Sequence, residues 1–202
     1  MPRVTPRAAR LAAWIAIPAA LVASGAVVST ASYSAFSATT VNPTSNWTAG
    51  SVALSDDDNN TALFTATALK PGSTGANCIT VTSTGSLAST VKLYATNPQT
   101  TNALASNITL TIEQGTGGGF GSCTGFTPAA SPNGTITPAN TTLASFGSSS
   151  TNFATGLGSW APTGSGSESR VYRVTYTVKS DAPNSVQGGT ASLGLTWEAQ
   201  NS

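Results

Sequence analysis

Along residues 170–178 the apolar side chains Tyr172, Val174, Tyr176 and Val178 alternate with Arg173, Thr175 and Thr177. The same period of two runs through 192–199, where Leu193, Leu195, Trp197 and Ala199 alternate with Gly194, Thr196 and Glu198. It recurs over 108–113, where Ile108, Leu110 and Ile112 oppose Thr109, Thr111 and Glu113, and more weakly over 51–55, 62–66, 78–82 and 90–96. Successive side chains of an extended chain point to opposite faces, so an apolar face backed by a Thr-rich one predicts half-buried antiparallel strands. Clusters of Asp, Asn, Gly and Pro separate the runs, as in Asp56–Asn60, 70–75, 115–119 and 180–184. Seven such strands, with no amphipathic helix longer than a turn or two, predict an all-β fold. The expectation is an antiparallel β-sandwich, jelly-roll-like in kind. One short helix is expected within 138–146, capped by Asn140 or Thr141. The rest of 115–166 reads as long loops packed onto the core through Phe120, Phe126, Phe146, Phe153 and Trp160.

The N-terminus breaks this pattern. Arg3, Arg7 and Arg10 precede an uninterrupted run of apolar and small residues over 11–28, followed by a small-residue exit. These are the parts of a helical secretory signal peptide. An uncleaved anchor is the alternative, which Pro18 and Gly25 weaken. The pairs Ser29/Ala31, Ser32/Ser34 and Ala35/Ser37 each suit a cleavage site. The chain therefore divides into a signal peptide at 1–34, an extended uncharged arm at 35–48 and a sandwich domain at 49–202. The product is expected to be secreted, extracellular or at the cell surface, touching the membrane only through the signal peptide. Cys78 and Cys123, the two cysteines, both lie in the exported part. An oxidising compartment favours a disulfide between them. In the chain-entropy model, closing a loop of that length stabilises the fold by roughly 4 kcal/mol.

Composition narrows the chemistry. The chain holds 202 residues, 8 Lys+Arg, 7 Asp+Glu and no histidine. Without imidazole there is no Ser-His-Asp or Cys-His nucleophile and no HExxH zinc site. A formal net charge of +1, with no basic cluster outside the N-terminus, argues against nucleic acid as a partner. Asp56, Asp58 and Asn60 have the spacing of a calcium loop's start. Thr61 and Thr67, however, stand where that loop needs its glycine and its bidentate glutamate. A solvated turn is the simpler reading. Glu113, Glu168, Asp181 and Glu198 are too few and too solvent-facing in pattern to suggest a glycosidase pair. Trp47 and Trp160 fall outside the strand patterns and could stack on a glycan, whereas Trp197, Tyr172 and Tyr176 share the apolar phase of their strands. No catalytic residue, metal ligand or cofactor is expected.

The exit Ser32-Tyr33-Ser34-Ala35-Phe36-Ser37 resembles the signal-peptide boundary of TasA/camelysin-type secreted bacterial proteins. Residues 47–54, the Leu69-Lys70-Pro71-Gly72 turn, the step at 84–87 and the closing Leu195-Thr196-Trp197-Glu198-Ala199 are similar to further motifs of that family, in the same order. The cysteine pair and low charge look most like its actinobacterial members. The resemblance implies cleavage between Ser34 and Ala35, and a jelly-roll sandwich. It also implies a non-enzymatic subunit or accessory of extracellular fibres in a biofilm matrix, partnered by itself or by other matrix proteins. In such fibres the arm, with Phe36, Val41 and Trp47, would complete the sheet of the next subunit. An uncharged extended arm adds readily to an exposed sheet edge on physical grounds alone. A cell-surface module binding glycan or protein is the alternative. Camelysin-like relatives have also been labelled proteases, a label that the missing histidine opposes here.

Overall fold

The computed structural model describes residues 49–201; the signal peptide and the arm, with Ser34, Ala35, Phe36, Val41 and Trp47, lie outside the described residues. The described chain is an all-β sandwich of two antiparallel sheets, with strands β1 (Leu54–Asp56), β2 (Thr74–Ser83), β3 (Ser89–Thr100), β4 (Ile108–Thr116), β5 (Thr127–Pro128), β6 (Leu157–Trp160), β7 (Glu168–Val178) and β8 (Ala191–Asn201). One sheet has the order β1-β2-β7-β4-β5 and the other β6-β3-β8. The single α-helix among the described residues, α1 (Leu143–Ser149), is capped by Thr142, one residue beyond the expected caps. Asn140 instead takes a left-handed φ of 60° and turns the chain into that cap.

Period-two patterning explains the five long strands. Ile79 and Val81 of β2, Val91, Leu93 and Ala95 of β3, Leu110 and Ile112 of β4, and Tyr172 and Val174 of β7 form one core. Each of these side chains is at most 4% exposed. Phe146 of α1 and Trp160 of β6 complete it. The 62–66 segment departs from expectation. It has strand-like alternation but forms no strand. Two strands escaped the pattern: β5 is two residues long, and β6 contains Gly158 at φ +87°, which breaks the alternation.

The strand order is that of an eight-strand jelly roll with one position vacant. In that architecture β2-β7-β4-β5 forms one sheet and β8-β3-β6 the other, with the first strand closing the second sheet beside β8. Here β1 joins β2 instead, with Leu54 opposite Ser83 and Asp56 opposite Val81. Among the described residues, β8 consequently pairs only with β3.

Cys78 and Cys123 form the disulfide, with Cα atoms 5.1 Å apart. Cys78 is fully buried on β2 beneath the Gly-rich loop 117–126. Gly117 requires its residue type: at φ +78° its position also leaves no room for a Cβ, which would fall on the Gly125 carbonyl.

Candidate strand-acceptor site

The last long strand carries Leu193, Leu195, Trp197 and Ala199 on its inner face. These side chains pack against the core yet stay only half-buried. The matching residues of β3, Val91 and Leu93, are 1% exposed. Among the described residues, no strand pairs along the other edge of β8. A cleft of about 580 Å³ follows that edge from Ala191 to Trp197. Its floor is Ile79, Val174 and Tyr176. Across from β8 stands the segment 61–69, contributing Leu63, Phe64 and Leu69. A smaller hollow of about 200 Å³ continues past Trp197 to Leu54, Asp56 and Val81. The larger hollow is mostly apolar and is bordered by main-chain groups of β8 that pair with no strand among the described residues, the two features an added strand needs. The Trp197 Nε1, buried at the junction of the two hollows, has no hydrogen-bond partner among the described residues.

Residue 57 fixes the upper end of the segment facing β8. Beyond Asp56 the main chain leaves β2, and the Asp57 carboxylate takes over. One oxygen accepts from the Thr80 amide and the other from the Phe120 amide, each at 2.8 Å. Asp56 and Asp58 accept from the Asp58 and Asn60 amides within their own turn, at 3.3 and 2.7 Å. Partial burial raises the Asp56 carboxyl above its ordinary range. The three carboxylates thus serve separate backbone amides and do not converge. Among the described residues no group of three or more His, Cys, Asp or Glu side chains is placed to hold a metal ion.

The three glutamates are also engaged locally. Glu113 pairs with Arg173 at 2.6 Å, and that guanidinium lies over the Phe126 ring. Glu198 accepts from the Tyr94 hydroxyl at 2.9 Å, which raises the Tyr94 pKa. Glu168 accepts from the Thr163 amide and hydroxyl, bonds that hold its carboxyl below the usual range. Trp160 is 4% exposed and packed in the core beside Arg170, so it offers no stacking face. Tyr172 is buried against Trp197, and burial pushes its phenol up. Tyr176 takes the Phe64 ring edge-on at 5.2 Å.

Sequence reading placed Leu193, Leu195 and Trp197 on an apolar strand face but not beside an open edge. Alternation reports which side chains turn inward and carries no information about which strand lacks a neighbour. No protein-family model matches the chain, and no curated protein matches it either.

Proposed function

We propose that this chain is a non-enzymatic, secreted structural protein that assembles into extracellular or cell-surface fibres. In this reading, strand addition joins the subunits: residues 35–48 of one copy lie along β8 of the next. The observation that carries the proposal is the vacant strand position beside β8, with its apolar cleft.

Length and placement favour the arm as occupant. Extended at about 3.3 Å per residue, 35–48 spans about 46 Å, against about 36 Å for β8. The arm carries no charged side chain that burial would penalise, and Pro43 separates a strand of residues 35–42, about 26 Å long, from a connecting stretch at 44–48. Residues 49–53 leave the sandwich beside the 84–87 turn, where the Ser86 and Leu87 amides both donate to the Ser51 carbonyl. That turn adjoins Ser89, the partner of Asn201, so Ser51 lies toward one end of β8 while the cleft follows the other half. A contact between unlike ends of two copies is head-to-tail and propagates into open filaments. The motif resemblance to TasA/camelysin-type matrix proteins supports the same reading, as do the signal-like N-terminus and the absence of histidine.

The test compares the chain beginning at Ala35 with one beginning at Ala49, by electron microscopy and sedimentation. Fibres from the first and monomers from the second are expected. Monomers from both, or equal fibres from both, would overturn the role of the arm.

A further inference from the structure

The segment between β1 and β2 has strand-like alternation, passes the vacant strand position and, among the described residues, pairs with no strand. Three observations bear on why. First, its direction suits β8: residues 57–72 descend from β1 to the start of β2, whereas β8 ascends from Ala191, opposite Thr100, to Asn201, opposite Ser89. The segment is thus antiparallel to β8, as a closing strand would be. Second, it is lightly held. Among the described residues, the one hydrogen bond to the backbone of 62–69 is from Asn77 Nδ2 to the Leu63 carbonyl, 2.7 Å. Its other anchors are the Phe64–Tyr176 edge contact and the partly buried side chains of Leu63, against the main core, and Leu69. Thr65, Ala66 and Thr67 are exposed. Third, both ends carry left-handed residues: Asn59 and Asn60, at φ 50° and 61°, and Ala68 at φ 53°. For alanine that conformation costs roughly 1–2 kcal/mol relative to its ordinary regions, so straightening it favours movement.

We infer that residues 61–68 form a strap that competes with an incoming arm for the β8 edge. Swung off its Asn77 and Tyr176 perch, the strap pairs with β8 within the same molecule, closes the sandwich and blocks addition of a second copy. Its extended length, about 26 Å, matches the roughly 23 Å of β8 that flanks the cleft. The perched form is competent for assembly and the zipped form is silent. Apparent affinity for a donor then scales with the perched fraction. The inference rests on the reading of β8 as acceptor, and its test separates the two.

The probes are a labelled peptide of residues 35–48 and the chain starting at Ala49, which contains its own core and disulfide. Thr65→Pro removes the strap's capacity to ladder with β8, because proline has no amide to donate. The Thr65 amide makes no hydrogen bond among the described residues, so the perch is spared. Asn77→Ala loosens the perch and favours the zipped form. With the perched form the major one, Thr65→Pro can tighten peptide binding by at most about twofold, whereas Asn77→Ala should weaken it about threefold. Unchanged affinities, or shifts in the same direction, would overturn the strap. Hydrogen exchange of the β8 amides supplies a readout that needs no donor. Zipping predicts faster exchange in Thr65→Pro than in the parent chain, and equal rates would overturn it. A peptide that binds none of the chains, with exchange still responding to Thr65→Pro, would remove the acceptor reading and leave the strap standing.

Discussion

The two long sides of the sandwich are finished in opposite ways. On the β4 side every gap is closed. The Leu110 amide donates to the Thr141 carbonyl, the Ile112 amide to the Thr137 hydroxyl, and the Gln114 amide to the Gly134 carbonyl. Helix α1 then inserts Phe146, 1% exposed, between the sheets, and the Ala95 amide on β3 donates to the Ser150 carbonyl. On the β8 side the same sheets are spanned by a segment with one hydrogen bond to its backbone, and an apolar cleft is left open. Loop residues can satisfy an edge without regular pairing, as 134–142 do. The open side therefore reflects a difference in how the sequence is used, since the chain has the means to close an edge. Long unprotected edges are normally blunted by charge, proline or bulges. β8 carries one charge, Glu198, and no proline.

The largest effect should come from placing a charge in the open side. Leu195→Lys leaves the closed side intact, but buries an ammonium when a strand is added. Fibre growth should fall at least about 100-fold, equivalent to roughly 2.7 kcal/mol, with the circular dichroism spectrum unchanged. Growth at the parent rate would show that the β8 cleft is not the interface.

Next, removing the disulfide with Cys78→Ser and Cys123→Ser should lower unfolding stability by roughly 4 kcal/mol, given the sequence separation of 45. Urea denaturation measures this, and the rate of fibre growth should change little if the open side is independent. Paired core truncations sharpen the contrast. Ile112→Ala, at a fully buried position, should cost about 3–4 kcal/mol, whereas Leu195→Ala on half-buried β8 should cost about 1. Equal costs would mean that β8 is as well covered as β4.

Thr137→Val is milder. It removes the hydroxyl that the Ile112 amide uses at 3.0 Å and should cost about 1–2 kcal/mol in urea denaturation. Glu168 provides the smallest effect. Its Thr163 bonds favour the carboxylate and depress its pKa in the folded state. The stabilisation is therefore present above the unfolded value near 4.5 and is lost as pH falls through the lower folded value. Glu168→Gln should flatten the pH dependence of stability between about pH 5 and 3, a small change because the group is exposed.

Much of the closed architecture was legible before any coordinates. Where a strand is long and one of its faces is buried, as with Leu110 and Ile112 or Tyr172 and Val174, alternation and burial are the same fact. The cysteine pair was legible for a different reason, since an even count of two behind a signal-like N-terminus leaves few other fates. Other features were hidden because they depend on neighbours. Nothing in Leu193-Gly194-Leu195-Thr196-Trp197 distinguishes an edge strand from a central one. The alternation at 62–66 looked like a strand, yet a ladder needs a partner within reach, and Asn77 and Tyr176 hold that segment away from one. Asp57 read as one acid of a solvated turn, but it links three parts of the chain through two backbone amides. That role becomes visible only once β2 and the 117–126 loop are folded together.

The ladder between β3 and β8 runs nearly the whole length of both strands, from Ser89 opposite Asn201 to Thr100 opposite Ala191. In a filament built by strand addition, a pull along the fibre would pass from the arm into β8 and across this ladder, parallel to the strands. Hydrogen bonds loaded in that direction resist together, whereas those pulled at right angles open one after another. In that arrangement the open edge of β8 would be carried by the strand pair best placed to bear tension, and the fold would transmit mechanical load without any additional element.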